Sequence, residues 1–296
     1  MAYGQRRRFW IWFRLGLLLA PACAPVNLQA HGDLEARIAA LSNTLATNSS
    51  HAELFFQRAE LYRLHDQQTL ALGDYRRVLE LDPSIDAARL GMSEALLKVG
   101  NPVAARAMVE TFLEKHSANP EALLVRARIL TAMDKKLEAV ADYSKALSAV
   151  SRPAPEIYLE RAALLAENGK VEEAIAGLDE GVKRLGHVPP LELQVVELEL
   201  GRARPDAALA RLDEQIARAH RKEFLFCRRA TVLEKLERWE AARAGYQAGL
   251  DALNALAPEQ RNVPAVRALG LRIEAALARL DDRGRHAASL QGAHSP

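Results

Sequence analysis

The side chains able to do chemistry are few, and their spacing does not favour catalysis. The chain carries eight histidines and two cysteines. A zinc or copper site needs several such ligands to converge, as two histidines four apart on a helix or a Cys-x-x-Cys pair provide. His51, His65, His116, His187 and His220 follow no such interval. The sequence has no glycine-rich phosphate loop and no nucleophile elbow, so neither an enzyme nor a cofactor is expected. One histidine has a separate route to chemistry. If the chain is cut before His31, the new amino group and the imidazole can together chelate copper, though a working site still needs a second histidine placed by the fold. Cys227, beside Phe226 and ahead of Ala230, is expected to be a small core residue rather than a reactive thiol.

The first thirty residues have a different character from the rest. They hold Arg6, Arg7, Arg8 and Arg14 and no acidic residue, then an apolar run from Leu15 to Ala24, then the small-residue exit Leu28-Gln29-Ala30. This is the make-up of a cleavable export signal over residues 1–30, and the apolar run is too short to span a bilayer as a helix. The expected location is the periplasm or envelope of a bacterium, with secretion as the alternative. Ala20-Pro21-Ala22-Cys23 offers a second processing route, with a lipid anchor at Cys23. Without the leader, 36 of the 40 basic side chains remain against 38 acidic ones. The apparent basicity therefore belongs to the leader, and nucleic acid is not an expected partner.

The elements that must position everything else are visible in one small residue. Ala71, Ala105, Ala139, Ala174, Ala208 and Ala242 follow one another at steps of 34, 34, 35, 34 and 34 residues. Four residues after each stands a large side chain: Tyr75, Val109, Tyr143, Leu178, Leu212 and Tyr246. Twelve residues before each stands another small one, Ala59, Ser93, Ala127, Ala162 and Ala230, except that the fifth unit has Val196. Two helices joined by a short turn approach closely only where facing side chains are small, so each unit reads as a helix pair. Gly100 and Gly169 mark turns between the two helices, and Gly201 stands early in the fifth unit. Before the array, Asp33 is expected to cap an N-terminal helix over 31–50. After it, a capping helix is expected over 262–281, with a disordered tail over 282–296.

Phe55, Ala59, Tyr62, Ala71, Tyr75, Val78 and Pro83 occupy the core and terminator places of the first unit. In this the chain resembles the tetratricopeptide repeat family over 52–255, most weakly in the fifth unit. The resemblance implies an all-α, right-handed α-solenoid of about six helix pairs with flanking helices. It also implies a protein-binding scaffold without catalysis, whose first helices line a concave groove. On that reading the groove residues are Glu53, Phe56, Glu60, Leu90, Glu94, Leu124, Arg128 and Leu159, an apolar strip with acidic edges suited to a partner segment bearing apolar and basic residues. The same apolar line could instead pack between neighbouring helices. Phe56 and Glu60 replace the lysine and asparagine with which one branch of the family holds a chaperone's terminal carboxylate, and a carboxylate facing Glu60 would be repelled. Arg58, Arg126, Arg161 and Arg229, with Asp74 and Asp142, are expected to pair between helices. Self-assembly into an envelope component and a metal function at His31 remain as alternatives. The register makes a prediction: Ala139→Leu should overpack the array and cost about 1–3 kcal/mol, and an unchanged melting temperature would contradict it.

Overall fold

The computed structural model describes residues 28–292 of the chain, and the side chains of 33–285. The described residues are helical throughout, joined by turns, and fall into two compact units, 1–149 and 150–296. In the first unit α1 (Leu28–Thr47) packs on α2 (Ala52–Leu64), which pairs with α3 (Gln68–Leu81). Two more pairs follow: α4 (Ala87–Lys98) with α5 (Pro102–Lys115), and α6 (Pro120–Ala132) with α7 (Lys136–Ala149). The second unit contains three pairs, α8 (Pro155–Glu167) with α9 (Val171–Leu185), α10 (Pro189–Gly201) with α11 (Pro205–Arg218), and α12 (Glu223–Lys235) with α13 (Trp239–Asn254). A short α14 (Pro258–Arg261) and a long α15 (Pro264–Gly292) complete it. Each unit is a stack of helix pairs in an all-α solenoid arrangement.

The spacing of small residues corresponds to real contacts. All six alanines from Ala71 to Ala242 are 0 % exposed, and their partners Ala59, Ser93, Ala127, Ala162, Val196 and Ala230 are buried with them. The large residues one turn later, Tyr75 through Tyr246, are buried too. Each pair turns through one device. Asp66, Gly100, Asp134, Gly169, Ala203 and Glu237 all have positive φ, and each stands five residues before its alanine. The following N–H reaches back across the turn, as Gln67 N to Tyr62 O at 2.8 Å and Lys135 N to Leu130 O at 2.8 Å, satisfying carbonyls at the helix end. Glycine adopts this conformation freely, whereas other residues strain to do so. Gly201 does stand early: it ends α10, and Ala203, two residues later, bears the left-handed turn. Asn101 and Asn119 cap α5 and α6 by accepting from Ala104 N at 3.1 Å and Ala122 N at 2.9 Å.

The expected arginine–aspartate pairs hold helices together. Arg58 grips Asp74 through Nε and Nη2 at 2.7 and 2.8 Å and also donates to Ser42 Oγ at 3.0 Å, tying α1, α2 and α3. Arg126 grips Asp142 in the same way at 2.6 and 2.8 Å. Arg229 instead reaches back to Asp213 on α11, at 2.6 Å.

Both termini differ from expectation. α1 begins at Leu28, so Asp33 lies within it rather than capping it, and the helix runs unbroken through Ala30 and His31. α15 continues to Gly292, so residues 282–292 are helical and not the disordered tail their composition suggests. Around the start of this stretch Arg243 pairs with Asp281 at 2.8 Å, Arg279 with Glu234 at 3.2 Å, and the Arg283 guanidinium lies 3.8 Å from the centre of the Trp239 ring. Ile273, Ala276 and Leu280 bury the inner face of this helix.

The fifth pair departs most from its neighbours. Where the others carry Tyr62, Leu96, Leu130, Leu165 and Leu233, it carries Glu199, which is 8 % exposed and has one carboxylate oxygen without a hydrogen-bonding partner. Burying an unsatisfied polar group destabilises. Glu199→Leu should therefore raise stability by about 1–3 kcal/mol in urea denaturation; unchanged or reduced stability would show that the carboxylate is compensated.

Candidate functional site

The first helices of the first unit lie side by side, α2 against α4 and α4 against α6. Phe56, Leu90 and Leu124 occupy equivalent places on them. Each is half-buried and packed against the core, so part of its surface supports the stack and part remains open. Next to this strip runs a polar chain. Tyr75 extends from α3 between α2 and α4, where its hydroxyl donates to Glu60. It passes there only because residue 91 is glycine: a Cβ at Gly91 would come 2.4 Å from the Tyr75 oxygen. Arg63 then joins two helices, donating to Glu60 at 2.6 Å through Nη2 and to Glu94 at 2.7 Å through Nη1.

The electrostatics of this face favour a cationic guest. Glu53, Glu60, Glu94 and Glu121 stand on its three helices against Arg63 and Arg128. Burial pushes the Glu94 carboxyl above the usual glutamate range. Arg63 pulls it down, while the like charges of Glu121 and Glu60 push it further up. Burial, and then the Glu60 hydrogen bond and charge, hold the Tyr75 hydroxyl well above the usual tyrosine range, so it stays a donor. Glu94 is thus a carboxylate partly withdrawn from water, flanked by Glu60 and Glu121 on one hand and by Arg63 and Arg128 on the other.

Seven of the expected groove residues lie in the first unit: Glu53, Phe56 and Glu60 on α2, Leu90 and Glu94 on α4, Leu124 and Arg128 on α6. Glu53 and Arg128 are exposed, the other five half-buried. Leu159 stands on α8 in the second unit, half-buried. Arg63 and Gly91 were not anticipated. Arg63 had a local signal, three residues from Glu60 on one helix face, whereas Gly91 acquires meaning only from the tyrosine packed over it. Cys227 is buried, and burial pushes its thiol up, away from reactivity. Among the described residues no three metal-binding side chains converge, and no helix is long and apolar enough to cross a membrane. The side chain of His31 and all of Cys23 lie outside the described residues, as do residues 1–27 of the leader.

Neither a protein-family model nor a curated protein matches the chain. Solved structures do match it in fold. A tetratricopeptide repeat protein from Parabacteroides merdae covers 82% of this chain and 93% of its own length at 15% identity, with a TM-score of 0.52. PilW, a widely conserved type IV pilus biogenesis factor, covers 63% of this chain and 86% of its own at 16% identity and a TM-score of 0.54. YrrB, a tetratricopeptide repeat protein with an unusual peptide-binding site, covers 60% and 91% at 19% identity and a TM-score of 0.50. Identities this low speak for the fold. The chain is built on the tetratricopeptide-repeat fold, as the spacing of its alanines implied.

Proposed function

We propose that this protein is a non-catalytic scaffold of the cell envelope, and that it holds a segment of a partner protein against the α2, α4 and α6 face of its first unit. The observation that carries this reading is the pairing of a half-open apolar strip, Phe56, Leu90 and Leu124, with the partly desolvated Glu94 amid an excess of carboxylates. Such a surface suits an extended or helical segment that offers apolar side chains to the strip and a lysine or arginine to Glu94. The peptide-binding site named for YrrB supports binding as a use of this fold, and the leader supports export, as does the pilus role named for PilW.

The test has two arms. A photo-crosslinker at Leu124, compared with one at Glu138 on α7, should capture a partner from the first position alone; the same proteins captured from both would contradict the assignment. Glu94 titrates above the usual range, and its ionised form attracts a cation. Affinity for a synthetic peptide bearing leucine and lysine should therefore rise with pH through the range just above that of an ordinary glutamate. In Glu94→Gln that rise should disappear. A pH-independent affinity in the parent protein would place the cation elsewhere.

A further inference from the structure

The turns between first and second helices of the first unit expose apolar side chains to water. Leu64 ends α2, Leu70 lies near the start of α3, Val99 follows α4, and Val103 and Leu137 lie at the starts of α5 and α7. All five are between 46% and 70% exposed. Because they occupy neighbouring places in successive pairs, they share one edge of the stack. The repeat itself does not require them. In the second unit the residues in register with Val103 and Leu137 are Glu172, Asp206 and Glu240, and those in register with Val99 are Asn168, Arg202 and, as the one apolar residue, Leu236.

The chain outside the described residues enters at the same edge. α1 runs antiparallel to α2, with Ser42 beside Arg58 and the Glu35 carboxylate 3.6 Å from His65, which stands in the first turn. Leu28 begins α1 about two helical turns before Glu35, which carries the helix start roughly 10 Å beyond that turn. Just upstream, the sequence holds the apolar run Leu15 to Ala24 and Cys23, preceded by four arginines. The apolar segment is therefore joined to the described chain at the end of the unit that carries the exposed apolar edge.

We propose that this edge rests on a lipid surface, held there by the leader, either uncleaved through its apolar run or, after processing before Cys23, through a lipid on that cysteine. This departs from cleavage before His31 and does not depend on the α2, α4 and α6 face. The edge charges cancel in pairs: Lys98 with Asp66 at 3.2 Å, Lys135 with Glu138 at 3.0 Å, and Lys136 with Asp134 at 3.3 Å. The contact made by the edge itself is thus apolar, with little sensitivity to salt, while the leader supplies the second anchor that stable membrane binding requires and its four arginines add an attraction to anionic lipid.

The experiment reconstitutes the full chain with phosphatidylcholine vesicles, with and without phosphatidylglycerol. A benzophenone amino acid is placed at Val103 or, as the control within the same protein, at Asp206. After illumination, lipid adducts are counted by mass spectrometry. The proposal expects adducts at 103 to exceed those at 206 by about tenfold, equally in low and high salt, and to fall sharply when Leu70→Glu and Leu137→Glu are added. Equal yields at the two positions, failure of the full chain to bind vesicles, or crosslinks from 103 to a second copy of the chain would each overturn it. The last result would assign the edge to self-association.

Discussion

The structure depends on letting two helix axes come close enough to pack without side chains between them. At the centre of each pair a residue no larger than alanine, serine or, once, valine faces an alanine of zero exposure. That contact works only if the chain reverses direction in very few residues, which the left-handed residue five places earlier accomplishes. Once both conditions hold, the large side chain one turn beyond the alanine is buried in every pair, and Tyr75 reaches the next pair over Gly91. A single pair cannot offset its loss of conformational entropy, so stacking supplies the stability.

Polar groups inside the stack follow from the same closeness. Asp142 is nearly inaccessible, and its two oxygens are matched by the fork of Arg126. Removing either partner would leave a buried charge uncompensated. In the first unit Tyr75 crosses between helices over Gly91 to reach Glu60, and Arg63 links that carboxylate to Glu94 on the next helix. One residue thus serves the core with its ring and shapes the electrostatics of an open face with its hydroxyl. The fifth pair relaxes these rules: Val196 replaces the small residue, Glu199 replaces an apolar one, and Ala203 bears the strained turn while Gly201 stands two places too soon.

What the sequence revealed follows from the range over which each constraint acts. The alanine contact admits almost no substitution, so its period can be read directly, and with it the helix pairs and the core. The left-handed turn was legible at Gly100 and Gly169 and hidden at Ala203 and Glu237, where tertiary packing imposes what composition does not advertise. Arg283, at the start of the expected tail, lies over Trp239, some forty residues away, and local composition carries no trace of such a contact. The apolar line through Phe56, Leu90 and Leu124 could be drawn from the register alone. The route by which Glu94 becomes desolvated and charge-coupled could not, because it runs through Arg63 on another helix.

If each pair is stabilised by its small-residue contact and by the apolar side chain three residues on, the pair that departs from both should open first. Native-state hydrogen exchange on the intact chain tests this within one unit, by comparing α10, with Val196 and Glu199, against α12, with Ala230 and Leu233. The account predicts that α10 amides exchange faster than those of α12 under conditions where the chain remains folded. Equal or stronger protection of α10 would contradict it, and would mean that stacking stabilises the solenoid regardless of how well each pair satisfies its own contact.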